Sequence, residues 1–507
     1  MEDKKTKTGI FQRILNHVER VGNKLPQPVT LFVILVFIVL IASWISAELG
    51  ISAIHPGTKE EIKAINLLNS DGIQRIFTEM VTTFTDFPPL GLVLVVMLGI
   101  GVAERTGLIA AALKAFVRSV PKQLITFSIV TAGMLSSIAA DAGYVVLIPL
   151  GAAIFYGLGR HPIAGLAAAF AGVSGGFGAN LFLTSLDPLL AAFTTPAAQI
   201  LDPDYVVDAT ANWYIMAASV PLVGLVGTYV TEKIIEPRFG KYEAHDELEE
   251  SNNELTDVEK KGLKWAGIVV LLCLVITGFL FIPEDSILRD ENGGLNPFFT
   301  SIVPLMLFLF FIPGLVYGIV TKTITGDKDA AKMTADSMAS MGGYIVLAFA
   351  AAQFVAFFNW SNLGLILAVN GAELLKSIGF TGLPLIGAFI LVASFINIVI
   401  GSASAKWAIM APIFVPMLML MGYSPELTQA AYRVGDSYTN ILTPLLPYFP
   451  LVIVFAQKYI KDIGLGTIIS AMLPYAIFFA LVRIPMTLLW IFLGLPIGPD
   501  APLYYTP

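Results

Sequence analysis

One long segment of this chain occurs twice, 263 positions apart, and both copies are apolar runs broken by Gly, Pro, Ser and charged residues. Paired interrupted apolar segments in the two halves of a membrane protein indicate a transport site between the repeats. The repeat therefore predicts a secondary transporter. Residues of the same type correspond in the two copies: Pro149 with Pro412, Gly159 with Gly422, Pro162 with Pro425, Gly172 with Gly435, and Ser174 with Ser437.

The composition places most of the chain in a membrane. Hydrophobic residues make up 56% of the sequence, charged residues make up 13%, and the mean hydropathy is +0.78. Apolar runs of roughly 20 residues, enough to span a bilayer as helices, recur along the chain. Nucleic-acid binding is not indicated, because the net charge of −7 is spread over loops. We expect neither an enzyme nor a cofactor, since the sequence has no His-Glu-x-x-His motif and no Gly-x-x-x-x-Gly-Lys-Ser/Thr loop.

Basic residues in the loops set the predicted orientation, because cytoplasmic loops collect Lys and Arg. The N-terminal segment 1–26 is rich in them and is placed in the cytoplasm, whereas the C-terminal tail at 497–507 is placed outside. We expect an all-α polytopic fold of about nine transmembrane helices and two re-entrant helical hairpins. One extra crossing between the repeats inverts the second copy relative to the first.

The segment at 124–158 has the features of a re-entrant hairpin. It begins and ends beside basic residues and is interrupted midway, and non-helical backbone at membrane depth is tolerated only where protein or a cavity covers it. The predicted segments are a first repeat at 27–236 with hairpin 1 at about 124–158, a cytoplasmic linker at 237–264, a connecting transmembrane helix at 265–282, and a second repeat at 297–496 with hairpin 2 at about 380–421.

Charged residues inside the apolar segments are the first functional candidates, because each costs roughly 2.5–3.5 kcal/mol at the bilayer centre. Asp141 and Lys406 lie at the predicted hairpin tips, and Arg433 and Asp436 lie in the second broken helix. Asp187 is expected near the outer end of the first broken helix, where a carboxylate costs less. Asp141 is either a ligand or a helix cap. Arg433 and Asp436, three positions apart, either face the site or neutralise one another.

Polar residues around the helix breaks are candidate ligands of a coupling ion. Glycines at these breaks either let the helix unwind, which frees backbone carbonyls, or serve only close packing. Hydroxyl, amide and carboxylate oxygens suit Na⁺, while a buried Asp can carry H⁺, so the sequence leaves the two ions open. Na⁺ is the only metal expected. The predicted coupling-ion residues are Asp141, Asn180, Asn397, Asp436, Ser437 and Asn440.

Three motifs resemble the p-aminobenzoyl-glutamate transporter (AbgT) family, over nearly the whole chain. They are Gly172-Val-Ser-Gly-Gly-Phe followed by Asn180-Leu-Phe-Leu-Thr-Ser-Leu-Asp187-Pro, Gly401-Ser-Ala-Ser-Ala-Lys-Trp407-Ala, and Tyr432-Arg-Val-Gly-Asp436-Ser followed by Asn440-Ile-Leu-Thr-Pro444. The resemblance implies an elevator-type homodimer in the inner membrane of a bacterium, with a scaffold and a mobile transport domain in each protomer. It implies a pathway lined by Asp187, Asn397, Ser404, Trp407, Arg433 and Asp436.

The substrates implied by this resemblance are p-aminobenzoyl-glutamate, p-aminobenzoate and sulfonamide antimetabolites. Lys406 and Arg433 can meet a carboxylate, and Trp407 or Phe177 can face an aromatic ring, although a Trp at this depth also serves as an interface anchor. Residue types leave the direction of transport open. Membrane lipid is the other expected partner. The predicted substrate-binding residues are Ser174, Asn180, Asp187, Asn397, Ser402, Ser404, Lys406, Trp407, Arg433, Asp436 and Pro444.

Two other classes of protein stay open at this point. In an intramembrane aspartyl protease, Asp436 after Gly435 would pair with Asp141, but a protease gives no reason for the inverted repeat or for Lys406. An ion channel would use the same interrupted segments. It would conduct without saturating, whereas a carrier shows saturable uptake.

Overall fold

The chain is helical over most of the residues that the structure, a computed structural model, describes. Within these residues, eight helices are long and apolar enough to cross a membrane, by length and composition alone. Asp141, Pro444 and the segment 1–26 lie outside them. The described residues are 28–54, 60–138, 143–242, 255–290, 293–443, 446 and 448–506.

The first half contains the first nine helices of the described chain and a small antiparallel pair of strands, with short π-helical segments at 143–147, 171–175 and 231–235. The elements are α1 (Pro28–Glu48), β1 (Ser52–Ile54), β2 (Glu61–Lys63), α2 (Ser70–Thr85), α3 (Pro88–Arg105), α4 (Leu108–Arg118), α5 (Ile125–Leu135), α6 (Ile148–Gly157), α7 (Pro162–Phe170), α8 (Leu186–Ala198) and α9 (Trp213–Val230).

Three helices join the halves or precede the second one, and nine more repeat the order of the first. The connecting elements are α10 (Glu236–Phe239), α11 (Asp257–Phe281) and α12 (Asn296–Thr300). The second half comprises α13 (Ile302–Thr321), α14 (Asp327–Ser340), α15 (Gly342–Trp360), α16 (Leu363–Ser377), α17 (Gly382–Val399), α18 (Ala403–Leu420), α19 (Pro425–Thr439), α20 (Phe449–Gln457) and α21 (Leu465–Phe492).

The two halves have the same sequence of elements, α1 to α9 and α13 to α21. Each has a long apolar helix, a polar helix, a second long helix, a short helix, a helical hairpin, a helix pair separated by a break, and a final long helix. The hairpins are α5 with α6 and α17 with α18. The helix pairs separated by a break are α7 with α8 and α19 with α20, and α11 lies between the halves.

Equivalent signals start the two broken helices. His161 Nδ1 accepts a hydrogen bond from the Ile163 backbone N–H at 3.2 Å, and Pro162 occupies the first helical turn of α7. Ser424 Oγ accepts one from the Leu427 N–H at 3.1 Å, and Pro425 opens α19. Proline fits there because the N–H that it lacks would have no partner in the helix.

Helices extend into both ends of the segment predicted as the cytoplasmic linker, 237–264. The helical segment after α9 continues to Phe239, and α11 begins at Asp257 rather than at 265. A capping box starts α11: Thr256 Oγ1 accepts from the Glu259 N–H at 3.2 Å, and Glu259 Oε2 accepts from the Thr256 N–H at 2.7 Å. A charged sequence therefore forms helix here, because its polar side chains supply the cap.

The acidic segment between α1 and α3 contains regular secondary structure. It contains the two strands, in which Ala53 pairs with Ile62, and the 16-residue helix α2. Asn69 caps α2 by accepting the Gly72 N–H at 2.7 Å. These elements lie against α15 and α16, which places them on the second half of the chain.

The helices pack in two groups. In one group, α13 packs against α3 and α11, and α15 packs against α1. In the other, each broken helix lies on its hairpin, α7 on α6 and α19 on α17, while α8 contacts both groups. A Cβ at Gly172 would strike the Val130 carbonyl, and a Cβ at Gly435 would strike the Ile390 carbonyl. Glycine therefore permits the same close approach in both halves.

Candidate functional site

A buried amine lies where hairpin 2 meets α19. Lys406, in the first turn of α18, donates from Nζ to Asn397 Oδ1 at the end of α17 and to Asp436 Oδ1 on α19, and it is fully buried. Asn397 Nδ2 in turn donates to Thr439 Oγ1 at 2.7 Å and to Asn440 Oδ1 at 2.8 Å. Since the helix ends here, the side chains rather than the backbone hold the hairpin tip to α19.

A second ion pair joins the two halves of the chain. Arg433 Nη1 on α19 donates to Asp187 Oδ1, in the first turn of α8. The other carboxylate oxygen, Oδ2, accepts from the Thr184 hydroxyl at 2.7 Å and from the Thr184 backbone N–H. Both members of the pair are buried, so each charge depends on the other for its neutralisation.

These contacts decide between the two alternatives that the sequence left open for Arg433 and Asp436. Arg433 and Asp436 do not neutralise one another; Arg433 pairs with Asp187, and Asp436 pairs with Lys406. Asp187 is buried inside the protein, with an exposure of only 1%. Residues three apart on a helix point in directions that differ by about 60°, which allows each to reach a separate neighbouring segment.

Arg483 is the site residue that the sequence motifs missed. It lies in the apolar helix α21, where its Nη1 donates to Ser437 Oγ and its Nη2 donates to the Gly178 carbonyl at 2.9 Å. Arg483 therefore bridges the end of α19 and the unwound stretch after α7. A basic residue within a long apolar helix was the available signal, although it stood outside the repeated motifs.

Trp407 is held by protein contacts on its ring and on its nitrogen. It stacks on Tyr432 with ring centroids 4.4 Å apart, and its Nε1 donates to Thr194 Oγ1 at 2.9 Å. The Tyr432 hydroxyl donates to the Ala403 carbonyl at 2.6 Å. Because Trp407 is fully buried, it packs inside the protein and not at a membrane interface.

A chain of side-chain hydrogen bonds leads from Trp407 to the start of α19. Thr194 Oγ1 donates to Gln429 Oε1 at 2.5 Å, and Gln429 Nε2 donates to Asn212 Oδ1 at 2.9 Å. Asn212 Nδ2 ends the chain on the Glu426 carbonyl at 2.9 Å. The sequence analysis did not predict Thr194, Gln429 or Asn212, because none of them belongs to a repeated motif.

The hairpin 1 side of the site is polar but uncharged in the described residues. Asn180 Nδ2 donates to the Met134 carbonyl at 2.9 Å and to Ser137 Oγ at 3.0 Å, while its Oδ1 accepts from the Phe182 N–H at 3.0 Å. Ser174 Oγ is fully buried and has no hydrogen-bond partner in the described chain. Asn180 thus uses its polar atoms to tie the first break to the hairpin.

The remaining predicted residues lie at the tip of hairpin 2. Ser402 Oγ accepts from the Ala405 N–H at 3.4 Å and lies 3.4 Å from Ser404 Oγ, so Ser402 caps α18. The structure brings Asn397, Lys406, Arg433, Asp436, Ser437, Asn440 and Asp187 into one buried region. The assignment of these residues to substrate or ion stays a prediction.

The loop between α8 and α9 carries a perturbed carboxyl group outside the apolar spans. Burial raises the pKa of Asp208, and the nearby carboxylate of Asp500 raises it further. The Tyr205 hydroxyl in the same loop donates to Glu426 Oε2 at 2.9 Å, and burial raises the pKa of this hydroxyl. The loop is therefore packed against the start of α19.

Buried ion pairs at the meeting point of two duplicated, interrupted helices define a membrane transporter. Residues 13–505 match the AbgT putative transporter family, and the chain belongs to this family. Membership confirms the expectation of a transporter rather than an enzyme. It also removes support from the protease alternative, whose proposed aspartate, Asp436, pairs with a lysine.

Three similar proteins cover nearly the whole chain. The p-aminobenzoyl-glutamate transport protein of Escherichia coli K12 is 40% identical over 490 residues, which are 96% of each chain. The crystal structure of the Alcanivorax borkumensis YdaH transporter is 44% identical with a TM-score of 0.89, over 94% of this chain and 100% of that one. The Neisseria gonorrhoeae MtrF structure, described within a class of antimetabolite efflux pumps, is 50% identical with a TM-score of 0.91, over 97% and 100%. The predicted transporter fold is confirmed.

Proposed function

We propose that this protein is an ion-coupled carrier of p-aminobenzoyl-glutamate, of a related aromatic carboxylate such as p-aminobenzoate, or of a sulfonamide antimetabolite. The observation that carries the proposal is the Arg433–Asp187 ion pair, which joins the two repeats beside the buried Lys406–Asp436 pair. Sites of secondary carriers lie at such interfaces between repeats, where unwound helices leave polar groups for a solute. The names of the Escherichia coli and Neisseria gonorrhoeae relatives support this substrate class.

The coupling ion is best accommodated at Asp436. Its carboxylate and the Asn397 amide oxygen already surround the Lys406 ammonium, which occupies the place of a small cation. Na⁺ would have to displace this tethered charge from both oxygens. We therefore favour H⁺ as the coupling ion and keep Na⁺ as the alternative that the transport assay distinguishes.

Transport would follow alternating access of the elevator type. The hairpins and broken helices pack on one another, while α1, α3, α11, α13 and α15 form a separate group. We propose that the first set moves against the second within a homodimer in the inner membrane, with the N-terminus cytoplasmic and the C-terminus external. The apolar outer surface of α11 suits a lipid-facing position in this scheme.

Purified protein in liposomes would test the proposal directly. Uptake of labelled p-aminobenzoyl-glutamate and of a labelled sulfonamide would be measured under an imposed pH gradient and, separately, under an imposed Na⁺ gradient. We expect saturable transport that responds to the pH gradient and counterflow on adding unlabelled substrate. The Asp436→Asn protein, checked for folding, should not transport.

The outcomes separate the competing classes. A response to Na⁺ alone would replace H⁺ by Na⁺ as the coupling ion. Flux that never saturates would favour a channel, and wild-type rates in folded Asp436→Asn protein would remove Asp436 from the site. The sign of the gradient that drives accumulation would give the direction of transport.

A further inference from the structure

Buried positive charges outnumber buried negative charges near the helix breaks, among the described residues. Within the described residues, two buried carboxylates, Asp187 and Asp436, face three buried cations, Lys406, Arg433 and Arg483. Each carboxylate forms an ion pair with one cation, and the pairs use Lys406 and Arg433. Arg483 is left as the cation without a carboxylate partner among these residues.

Glu426 does not supply the missing charge. It is buried as well, but it lies in the first turn of α19, seven residues before Arg433 and therefore about 10 Å away along the helix. Its carboxylate accepts hydrogen bonds from Tyr205 in the external loop. Arg483 instead contacts Ser437, at the other end of α19.

Arg483 donates its hydrogen bonds to neutral oxygens, which bind a guanidinium less strongly than a carboxylate does. Its two terminal nitrogens donate to neutral oxygens, Ser437 Oγ and the Gly178 carbonyl, and its Nε has no partner among the described residues. Burying an ionised group without a counter-charge is costly, and a guanidinium binds a carboxylate more strongly than a neutral oxygen. A buried arginine in this condition can bind an anion.

The surroundings of Arg483 place that anion at the transport site. Ser437 and Gly178 belong to the two interrupted segments, one from each repeat, so the guanidinium lies between them. A Cβ added at Gly178 would lie 2.9 Å from Nη2 of Arg483 and 2.9 Å from the Arg433 carbonyl. Glycine at 178 thus keeps side-chain atoms away from this face of the guanidinium.

We propose that Arg483 binds a carboxylate of the transported substrate. Among the described residues, the two internal ion pairs leave one excess positive charge, on Arg483, and the carboxylate of the substrate would balance it. The inference rests on the proposed function and specifies its chemistry: the carrier prefers an aromatic carboxylate to an uncharged ring of the same shape. Arg433 and Lys406 then serve the internal pairs, and Arg483 serves the substrate.

Binding of two ring-matched probes tests the inference. The affinities of the purified full-length protein for p-aminobenzoate and for the uncharged p-aminobenzamide would be measured by calorimetry in detergent micelles, for the wild type, R483Q and R483K. Loss of a charge-assisted interaction should weaken p-aminobenzoate binding about tenfold or more in R483Q and less in R483K. The affinity for p-aminobenzamide should stay within about threefold of the wild type.

Arg289→Gln is the matched control. Arg289, like Arg483, donates only to neutral oxygens, here the carbonyls of Phe281, Ile282 and Gly293, but it lies between α11 and α12 and contacts neither interrupted segment. R289Q should bind both probes as the wild type does. This variant removes the charge of a carbonyl-bonded arginine without removing the proposed anion site.

Each outcome decides between the alternatives. If R483Q is folded and loses both probes equally, Arg483 only braces the two segments, and the inference is overturned. Unchanged affinity for p-aminobenzoate in R483Q or R483K overturns it as well. If R483Q does not fold, the inference is tested by R483K and by the relative affinity of the wild type for p-aminobenzoate and p-aminobenzamide. Equal affinity of the wild type for the two probes refutes the inference. A wild type that binds and transports neither class refutes the proposed function itself, and the inference with it.

Discussion

The two halves of the chain share a backbone plan but not a chemistry. Equivalent proline-started helices, equivalent hairpins and equivalent glycine contacts occur at the spacing of the repeat. The charged residues of the second half, in contrast, correspond to small or apolar residues in the first. The pairs are Gly143 with Lys406, Phe170 with Arg433, and Val173 with Asp436.

This difference shows how one duplicated unit produces a single site. The first half adds Asp187 and the Gly178 carbonyl, which meet Arg433 and Arg483 of the second half. Because every buried charge carries a large desolvation cost, two complete charged sites would destabilise the protein more than one. The glycine contacts at the breaks are therefore alike in the two halves, whereas most of the buried charged residues lie in the second half.

The largest effect should come from breaking the second-half ion pair. Lys406→Gln leaves the Asp436 carboxylate buried without its cation, and we expect a loss of about 3–5 kcal/mol in the free energy of unfolding, together with loss of transport. Thermal unfolding in detergent, followed by tryptophan fluorescence, would measure the first effect, and liposome uptake the second.

The double variant Lys406→Gln/Asp436→Asn removes both charges and should recover most of the stability but not the transport. Val173→Thr, at the position in the first half that corresponds to Asp436, is the matched control and should retain transport. Equal losses of stability in the single and double variants would refute the pair as the source of the effect.

The glycine contacts should respond alike in the two halves. Gly172→Ala pushes a methyl group into the Val130 carbonyl, and Gly435→Ala pushes one into the Ile390 carbonyl. Because backbone atoms cannot move aside as side chains do, each variant should lose about 3 kcal/mol of stability, near the upper end for overpacking. Thermal unfolding of both would measure it.

Gly157→Ala is the control, because a Cβ there meets nothing within 4 Å. It should be neutral or slightly stabilising, since alanine is the better helix former. A large loss in only one of the two repeat glycines would mean that the halves differ in packing as well as in charge.

Local signals made the backbone plan predictable from the sequence. Pro162 and Pro425 occupy the first turns of α7 and α19. Basic residues at both ends indicated hairpin 1, and the spacing of the repeat then placed hairpin 2. The capping box at Thr256 was equally local, but the surrounding charged residues obscured it. The predicted residues Asp141 and Pro444 lie outside the described chain and stay predictions.

Partner choice in the site was not predictable from the sequence. Arg433 and Asp436 were close enough in sequence to pair, yet the partner of Arg433 is 246 positions away. The spacing of residues on one helix predicts which of them share a face. It does not predict which neighbouring segment carries the residue that forms the ion pair. Arg483 lies outside every repeated motif, so only the three-dimensional contacts with Ser437 and Gly178 revealed it.

A smaller difference between the halves is expected where polar side chains tie each break to its hairpin. Asn180 donates to two acceptors on hairpin 1, and Thr443, its counterpart, donates to the Ile398 carbonyl on hairpin 2 at 3.0 Å. At about 1 kcal/mol per bond, Asn180→Ala, which removes three hydrogen bonds, should cost about 3 kcal/mol, and loss of the Ile398 bond alone in Thr443→Val should cost about 1 kcal/mol. Thermal unfolding would rank them, and the reverse order would mean that hairpin 2 depends more on its polar tie.

The smallest effect concerns the loop between α8 and α9, where Asp208 has a raised pKa. A carboxyl group with a raised folded-state pKa stabilises the protein fully below its unfolded pKa of about 3.8, and this contribution is lost as the pH rises through the folded value. Asp208→Asn, which stays neutral, should therefore raise the melting temperature at pH 8 by a few degrees and leave it unchanged at pH 4. Asp204→Asn, in the same loop but exposed, should change neither value. An Asp208→Asn effect of the same size at both pH values would mean that shape, and not ionisation of the buried carboxyl group, determines how this loop packs on α19.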